Sequence, residues 1–209
     1  MKSRNAALIL AVASITAACN KNAPSAPNYD NAINSFYQAH PACLWDTEKK
    51  FPVQSAPDDA KTSGYDALVD AGLLTRTTSE KKIIIISKRE NNYDISEQGR
   101  AAWTADPNQP GYGNFCYGHR KVASIDGNTP TSDQPGASVT VNYHYTLTGL
   151  PAWASSAETQ TAFPKLQASN TPQSATATLT NTTNGWQVAS VPGSTTNNPA
   201  TPADGRIVQ

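Results

Sequence analysis

The chain has 209 residues, with 16 basic and 16 acidic side chains, and charged residues make up only 15% of it. This length allows one domain or two small ones. A neutral balance without a basic stripe argues against a nucleic-acid-binding protein, because contacts with phosphate supply most of the affinity in that class. We therefore expect no nucleic-acid partner.

The first 19 residues have the organisation of an export signal. Lys2 and Arg4 form a short positive region, and an apolar run follows from residue 6 to residue 15. That run is too short to cross a bilayer as a helix. The segment Thr16-Ala17-Ala18-Cys19 then resembles the cleavage site of bacterial lipoprotein signal peptides, in which the cysteine is diacylated and becomes the mature N-terminus.

The resemblance implies lipidation at Cys19 and a mature protein anchored to a membrane of the cell envelope, facing the periplasm. Thr16 departs from the motif, which usually has leucine there, so an ordinary signal cleaved after Ala18 is the alternative. Asn20, where aspartate would retain a lipoprotein in the inner membrane, favours the outer membrane by analogy with lipoprotein sorting. Loss of residues 1–18 would leave 14 basic and 16 acidic side chains.

Two cysteines remain, Cys43 and Cys116. An isolated pair in an oxidising compartment most often forms a disulfide, which is our expectation here. The alternative is a metal site built from Cys116 and His119, at C-x-x-H spacing, with Cys43 as a third ligand. No fourth ligand is visible nearby, so we expect neither a metal nor another cofactor.

The first half of the chain predicts three helices and two short strands. Helical spacing of apolar and aromatic residues, with Phe36 and Tyr37 on the inner face, indicates a first helix between Tyr29 and Pro41. A second helix is expected over residues 58–71, with Gly72 as its C-terminal cap. Strands over residues 74–77 and 82–88 and a helix that Ser96 caps and that reaches residue 103 complete this half. The isoleucine run 83–86 favours a strand covered on both faces.

Part of this half resembles a winged-helix domain. The resemblance is carried by Leu68-Val69-Asp70-Ala71-Gly72-Leu73-Leu74-Thr75 and by Tyr93-Asp94-Ile95-Ser96-Glu97-Gln98-Gly99-Arg100, which would flank a two-stranded wing. It covers about 40 residues and implies shape alone. The helix that would enter DNA carries four aspartates against one lysine, a polarity that repels phosphate.

The second half predicts antiparallel strands. Residues 138–148 alternate apolar and polar side chains, which places His144 on the polar face, and residues 115–125, 175–180 and 185–188 are further strands. Asn184-Gly185 marks the hairpin between the last two. A short helix is expected within residues 151–166, ended by Pro164.

No catalytic signature stands out: the serine-nucleophile elbow, the P-loop and the H-E-x-x-H motif are all absent from the sequence. Four residues remain as a candidate polar patch, namely Tyr117, His119, Arg120 and His144. The two histidines would share a face if their strands paired. Exposed residues of a sheet that is wet on one side are the plainer interpretation.

We therefore predict an α+β protein with a small winged-helix-like, α-rich lobe and an antiparallel β-sheet lobe with one helix. The expected organisation is a signal peptide (1–18), a lipidated tether (19–28), the α-rich lobe (29–103), a connector (104–114), the β lobe (115–190) and a disordered tail (191–209). The segments Phe115-Cys116-Tyr117-Gly118 and Pro151-Ala152-Trp153-Ala154, the latter followed by Phe163-Pro164, resemble small uncharacterised lipoproteins of proteobacterial envelopes.

For function, the first hypothesis is a lipid-anchored envelope protein with a non-enzymatic binding or structural role and a protein or cell-wall partner. The second is a small periplasmic hydrolase or metal-binding protein that uses His119 and His144. A DNA-binding regulator is remote, because an envelope protein meets no chromosome.

Overall fold

The computed structural model describes residues 20–83, 86–130, 132–168 and 171–191. For residues 81–83 and 86–88 it describes the backbone alone. The signal segment, Cys19 and the chain after residue 191 lie outside these ranges. The helices are α1 (Ala26–Ala39), α2 (Thr62–Asp70), α3 (Glu97–Ala102), α4 (Ala157–Ala162) and α5 (Pro164–Ala168), with a 3-10 turn at Ala152–Ser155. The strands are β1 (Ala42–Cys43), β2 (Lys49–Lys50), β3 (Val53–Ser55), β4 (Leu74–Ile83), β5 (Ile86–Ile95), β6 (Trp103–Ala105), β7 (Tyr112–Thr129), β8 (Ser138–Thr148), β9 (Gln173–Thr182) and β10 (Gly185–Ser190).

The described strands form two antiparallel sheets. The larger sheet has seven strands in the order β1-β7-β8-β9-β10, and β2 and β6 also pair with the first part of β7. The smaller sheet has the order β3-β5-β4, with Ile83 paired to Ile86 at the far end of its long hairpin. The prediction of an α+β protein with mostly antiparallel sheet is confirmed.

One hydrophobic cluster lies between α1 and one face of the larger sheet. Tyr29, Ile33 and Tyr37 of α1 are buried against Val141 and Leu179 of the sheet. The buried residues on β8 follow the alternation seen in the sequence, because successive strand side chains point to opposite faces. The backbone N–H of Val122, beside a bulge in β7, donates to the side chain of Asn34 on α1. Helix α1 therefore covers one face of the sheet and leaves the other open.

The second cluster lies between α2, the smaller sheet, the first part of β7 and the segment 151–166. Its aromatic rings pack mainly edge to face, as Trp103 does on Phe115 at 5.0 Å between ring centroids. Strand β1 lies at its border, where Cys43 and Cys116 face each other across β1 and β7 and form a disulfide. The predicted Cys43–Cys116 disulfide is therefore present.

The α-rich, winged-helix-like lobe over residues 29–103 is not supported. The described part of this range has more strands than helices, the helix α2 is only nine residues long, and α1 packs on the larger sheet. The two helix caps predicted within this range are present. Gly72, the predicted C-terminal cap of α2, has φ +75°, and Ser96 caps α3 by accepting a hydrogen bond from the N–H of Gly99. The hydrogen bonds from Leu73 to Leu68 and from Gly72 to Val69 close α2 as a Schellman motif. The helix caps could be predicted from the sequence because they depend on neighbouring residues. The packing of α1 on the larger sheet could not, because it depends on residues far apart in the chain.

Most other predicted elements occur with shifted ends. The strand predicted for residues 138–148 has those bounds, and the strand predicted for residues 74–77 is the start of β4. The strand predicted for residues 82–88 is wrong as a single strand, because its two ends belong to β4 and β5, the two arms of one hairpin. Of the isoleucine run, residues 84 and 85 lie outside the described ranges. The single helix expected within residues 151–166 is replaced by a 3-10 turn and two short helices, and Pro164 begins α5 after ending α4, because proline fits the first turn of a helix.

The residues before α1 are held against the β9–β10 end of the larger sheet. The Asn22 amide donates to the side chain of Asn181 and to the carbonyl of Thr182. The indole N–H of Trp186 donates to the carbonyl of Asn22 at 3.2 Å. The chain is therefore fixed to the folded body within a few residues of Cys19. None of the helices in the described ranges has the length and hydropathy that crossing a membrane requires.

Candidate functional site

The four residues of the predicted polar patch lie in two separate places. Strands β7 and β8 pair as the hypothesis required, but His119 lies opposite Thr148 and His144 lies opposite Ser124. Four residues of β8 separate these two rows, which corresponds to about 13 Å along a strand. Tyr117, His119 and Arg120 gather near the end of α1, while His144 stands apart from them with partners of its own.

Arg120 is the centre of the first group. Its guanidinium lies 5.5 Å from the ring centroid of Tyr37 on α1 and 5.7 Å from that of Tyr145 on β8. Tyr117, three residues earlier on β7, is buried. These distances are those of cation–π contacts, which hold a guanidinium in one orientation and leave its N–H donors available. We call Arg120, Tyr37, Tyr145 and His119 the Arg120 cluster.

Arg120 makes no ion pair in the described residues. The four ion pairs found there join Arg76 to Asp66, Arg89 to Glu80, His144 to Asp126 and Lys165 to Asp46. A partly buried guanidinium usually has a carboxylate beside it, since burial removes part of its hydration. The Arg120 cluster therefore presents a positive charge that is held between aromatic rings and has no carboxylate partner within the described residues.

The histidines beside the cluster are both held by backbone carbonyls. Nδ1 of His119 donates to the carbonyl of Tyr37 at 3.1 Å, and Nδ1 of His40 donates to the carbonyl of Phe36 at 2.7 Å. A carbonyl only accepts, so Nδ1 carries a hydrogen in each of these rings. The ring of His40 also stacks on that of Phe36, with centroids 4.1 Å apart.

Under the cluster, the hydroxyl groups of Tyr37 and Tyr143 share a hydrogen bond of 2.5 Å. Burial raises the pKa of both phenols well above the ordinary value for tyrosine. The hydrogen bond acts on them in opposite directions, lowering the pKa of Tyr37 and raising that of Tyr143, and the Arg120 charge lowers both. Both tyrosines are therefore neutral structural groups at physiological pH.

His144 lies on the opposite, open face of the larger sheet, between two polar partners. Its Nδ1 is 2.7 Å from Oδ2 of Asp126 on β7, and its Nε2 is 2.9 Å from Oγ of Ser174 on β9. The other oxygen of Asp126 accepts from the hydroxyl of Ser124 at 2.9 Å. The result is a hydrogen-bonded chain, Asp126–His144–Ser174, that crosses three adjacent strands; its histidine side chain is 41% exposed.

A bulge in β7 places Asp126 in this chain. Ser124 pairs with His144, Ile125 with Tyr143 and Gly127 with Asn142, so Asp126 is an extra residue in the register. Bulges re-aim side chains in this way. Ser174 reaches His144 by simple pairing, because the two residues lie directly opposite each other on β9 and β8.

Sequence reasoning placed His144 on the polar face correctly but missed both of its partners. The predicted strands ended at residue 125 and began at residue 175, so Asp126 and Ser174 each fell one residue outside them. Tyr37 was recognised as a core residue, but its contact with Arg120 joins residues 83 positions apart. No local signal could have revealed that contact.

The alternative metal site would need the thiolates of Cys43 and Cys116 as ligands, and these two residues are joined as a disulfide. The residues described contain no group of three or more histidine, cysteine or acidic side chains that could hold a metal ion. The lipidation site, Cys19, lies outside the described residues and stays a prediction.

Comparison of the chain with protein-family models, curated proteins and solved structures finds no match. The function must therefore be argued from the geometry of this chain.

Proposed function

We propose that this chain is an exported, lipid-anchored protein of the bacterial cell envelope that binds an acidic partner, a role that needs no catalysis. The binding role rests on one observation, the orientation of Arg120 between Tyr37 and Tyr145 without a carboxylate beside it in the described residues. An arginine held in this way loses little further conformational entropy when it binds. Its planar guanidinium can form two parallel hydrogen bonds with a carboxylate or phosphate.

The proposed location is supported by the disulfide. Cys43–Cys116 is of the kind that persists in oxidising compartments such as the periplasm, where glutathione and thioredoxin do not reduce it. This agrees with the export signal and with the lipidation predicted for Cys19. In such a compartment the carboxylates of cell-wall peptides are an abundant acidic ligand, and we take them as the partner.

The short attachment of the chain supports an orientation at the membrane. Asn20 is bound through its carbonyl to the side chain of Asn28, and Asn22 is bound to Asn181. Three residues of extended chain, from Cys19 to Asn22, span at most about 10 Å. A lipid on Cys19 would therefore hold the β9–β10 end of the sheet close to the membrane surface.

A joint site of His119 and His144, as a hydrolase or metal-binding protein would need, has no support from their positions. The ring of His119 bonds the backbone of α1, and the ring of His144 bonds Asp126 and Ser174.

The binding role is tested by co-sedimentation of the purified protein with cell-wall sacculi. We expect binding that weakens as salt rises, because the contact is between opposite charges. Arg120→Ala should weaken it at least tenfold, and Arg120→Lys should weaken it less, since lysine keeps the charge and loses the planar fork. Arg100→Ala, which removes an exposed charge from α3, is the matched control and should bind as the wild type does.

Sacculi whose carboxylates have been converted to amides serve as the second arm. Equal binding to amidated and untreated sacculi would contradict recognition of a carboxylate. Equal binding of the Arg120 and Arg100 variants would contradict the role of the cluster.

A further inference from the structure

The open face of the larger sheet carries an arrangement that the binding role does not use. Asp126, His144 and Ser174 lie in a row across β7, β8 and β9, with both ring nitrogens of the histidine within hydrogen-bond distance of an oxygen. Because these side chains are exposed, their pairing contributes little to stability. The arrangement therefore matters for the reactivity of its side chains and not for the stability of the fold.

The partners of His144 define which of its ring nitrogens carries the hydrogen in the neutral form. A carboxylate only accepts hydrogen bonds, so Nδ1 of His144 carries the hydrogen and donates to Asp126. In the neutral ring Nε2 then holds a lone pair, and the hydroxyl of Ser174 donates to it. This is the order of roles in a serine nucleophile, a general base and a carboxylate that orients the base.

The carboxylate itself is held in place. Oδ1 of Asp126 accepts from Ser124, and Oδ2 faces His144, so both oxygens have a partner on the same face. The bulge that inserts Asp126 into β7 is what brings the carboxylate beside the histidine. The position of the acid thus depends on a specific departure from regular pairing, of a kind that is frequent next to active sites.

We infer that Ser174 is an activated nucleophile that accepts acyl groups from esters, independently of the binding role proposed for the Arg120 cluster. In the first step the Ser174 oxygen attacks the ester carbonyl carbon, and its proton passes to Nε2 of His144. The bond to the alcohol then breaks, and His144 returns the proton to the departing oxygen. Water next attacks the acyl-serine ester, with one proton passing through His144 to the oxygen of Ser174, and releases the acid.

The surroundings restrict the class of substrate. Strand β8 lies between β7 and β9, so its own backbone N–H groups beside His144 take part in the sheet and are not free to stabilise an oxyanion. The reaction is therefore limited to esters with good leaving groups, such as aryl esters. An open sheet face imposes little selection on the acyl group.

The probe is an alkyl fluorophosphonate, which phosphonylates activated serines with loss of fluoride. The modified residues are identified by peptide mapping in a mass spectrometer. General-base assistance contributes about 10²-fold or more to such reactions. We expect Ser174 to be labelled at least tenfold faster than Ser138, an exposed serine on the same face that lies opposite Thr180. Label equally distributed between Ser174 and Ser138 would overturn the inference.

Variants separate the chemistry from the fold. Ser174→Ala should abolish labelling at this site, His144→Gln should slow it at least tenfold, and Asp126→Asn should also slow it, because the carboxylate no longer orients the base. His40→Gln is the matched control, because this histidine lies outside both the row and the Arg120 cluster and bonds the carbonyl of Phe36, and it should react as the wild type does. Turnover of 4-nitrophenyl acetate should follow the same order. Labelling of Ser174 at the wild-type rate in the His144→Gln variant would also overturn the inference, and it would leave the binding role of Arg120 untouched.

Discussion

Tyr37 and Tyr143 are joined through their hydroxyl groups beneath α1, and each phenol is almost completely buried. Tyr143→Phe removes one partner and leaves the Tyr37 hydroxyl buried without its hydrogen bond. We expect this to lower the free energy of unfolding by about 1–3 kcal/mol, the range for a buried polar group left unsatisfied. Urea denaturation measures the change.

The double variant Tyr37→Phe/Tyr143→Phe is the informative comparison. Because it removes both hydroxyl groups, we expect it to be no less stable than the worse of the two single variants. Tyr112→Phe, at a partly exposed position, is the control. Additive losses in the double variant would show that the hydroxyl pair is not coupled.

The raised pKa values of the same two tyrosines predict a response to alkaline pH. A phenol whose pKa is higher in the folded than in the unfolded protein contributes stability below the unfolded pKa of about 10, and this contribution is lost as pH rises through the folded pKa. We therefore expect the free energy of unfolding to fall above about pH 10. Absorbance at 295 nm should show delayed ionisation of the native protein. A native titration that coincides with that of the urea-unfolded chain would contradict the prediction.

At the scale of elements, the disulfide between β1 and β7 closes a long loop of the chain. Cys43 and Cys116 are 73 positions apart, and closing a loop of this size is worth about 4 kcal/mol in the chain-entropy account. Cys43→Ser/Cys116→Ser should lose approximately this amount in urea denaturation. Reduction of the wild type should reproduce the loss, and a reduced wild type of unchanged stability would contradict it.

Helix α3 depends on a single residue at its start. The hydroxyl of Ser96 accepts from the N–H of Gly99 and donates to the carbonyl of Gly72, so it joins α3 to the end of α2. Gly99 is required here, because a Cβ at this position would lie 1.9 Å from the carbonyl oxygen of Leu73. We expect Ser96→Ala to lower the free energy of unfolding by about 1 kcal/mol. Ser96→Thr keeps the hydroxyl and should restore most of it; equal losses in both variants would exclude the cap as the cause.

Elements set by local sequence were the ones that could be predicted. The alternation of β8, the cap at Ser96 and the positive φ at Gly72 depend on residues within a few positions of one another, and each was read correctly. The placement of α1 on the larger sheet was not predicted, because its apolar stripe fits any apolar surface. The candidate sites were also predicted only in part. Arg120 and His144 were identified singly from the sequence, whereas Tyr37, Asp126 and Ser174 are brought to them by tertiary pairing and by a bulge.

At the scale of the whole molecule, the two faces of the larger sheet carry different chemistry. One face packs against α1 and has the Arg120 cluster at its border, and the other presents hydroxyl, amide and imidazole groups to solvent. The β9–β10 end, to which the chain beside Cys19 is bound, would lie nearest to a membrane. Anchoring by lipid would therefore leave both faces accessible to the periplasm.

The central claim, an envelope protein anchored through Cys19, is tested most directly by the intact mass of the protein extracted from membranes. The mass is taken with and without reduction and alkylation. We predict a chain that begins at Cys19, carries a lipid adduct and has two further cysteines that react only after reduction. An unlipidated chain would contradict the anchor, and cysteines that alkylate without reduction would contradict the disulfide and with it the oxidising compartment.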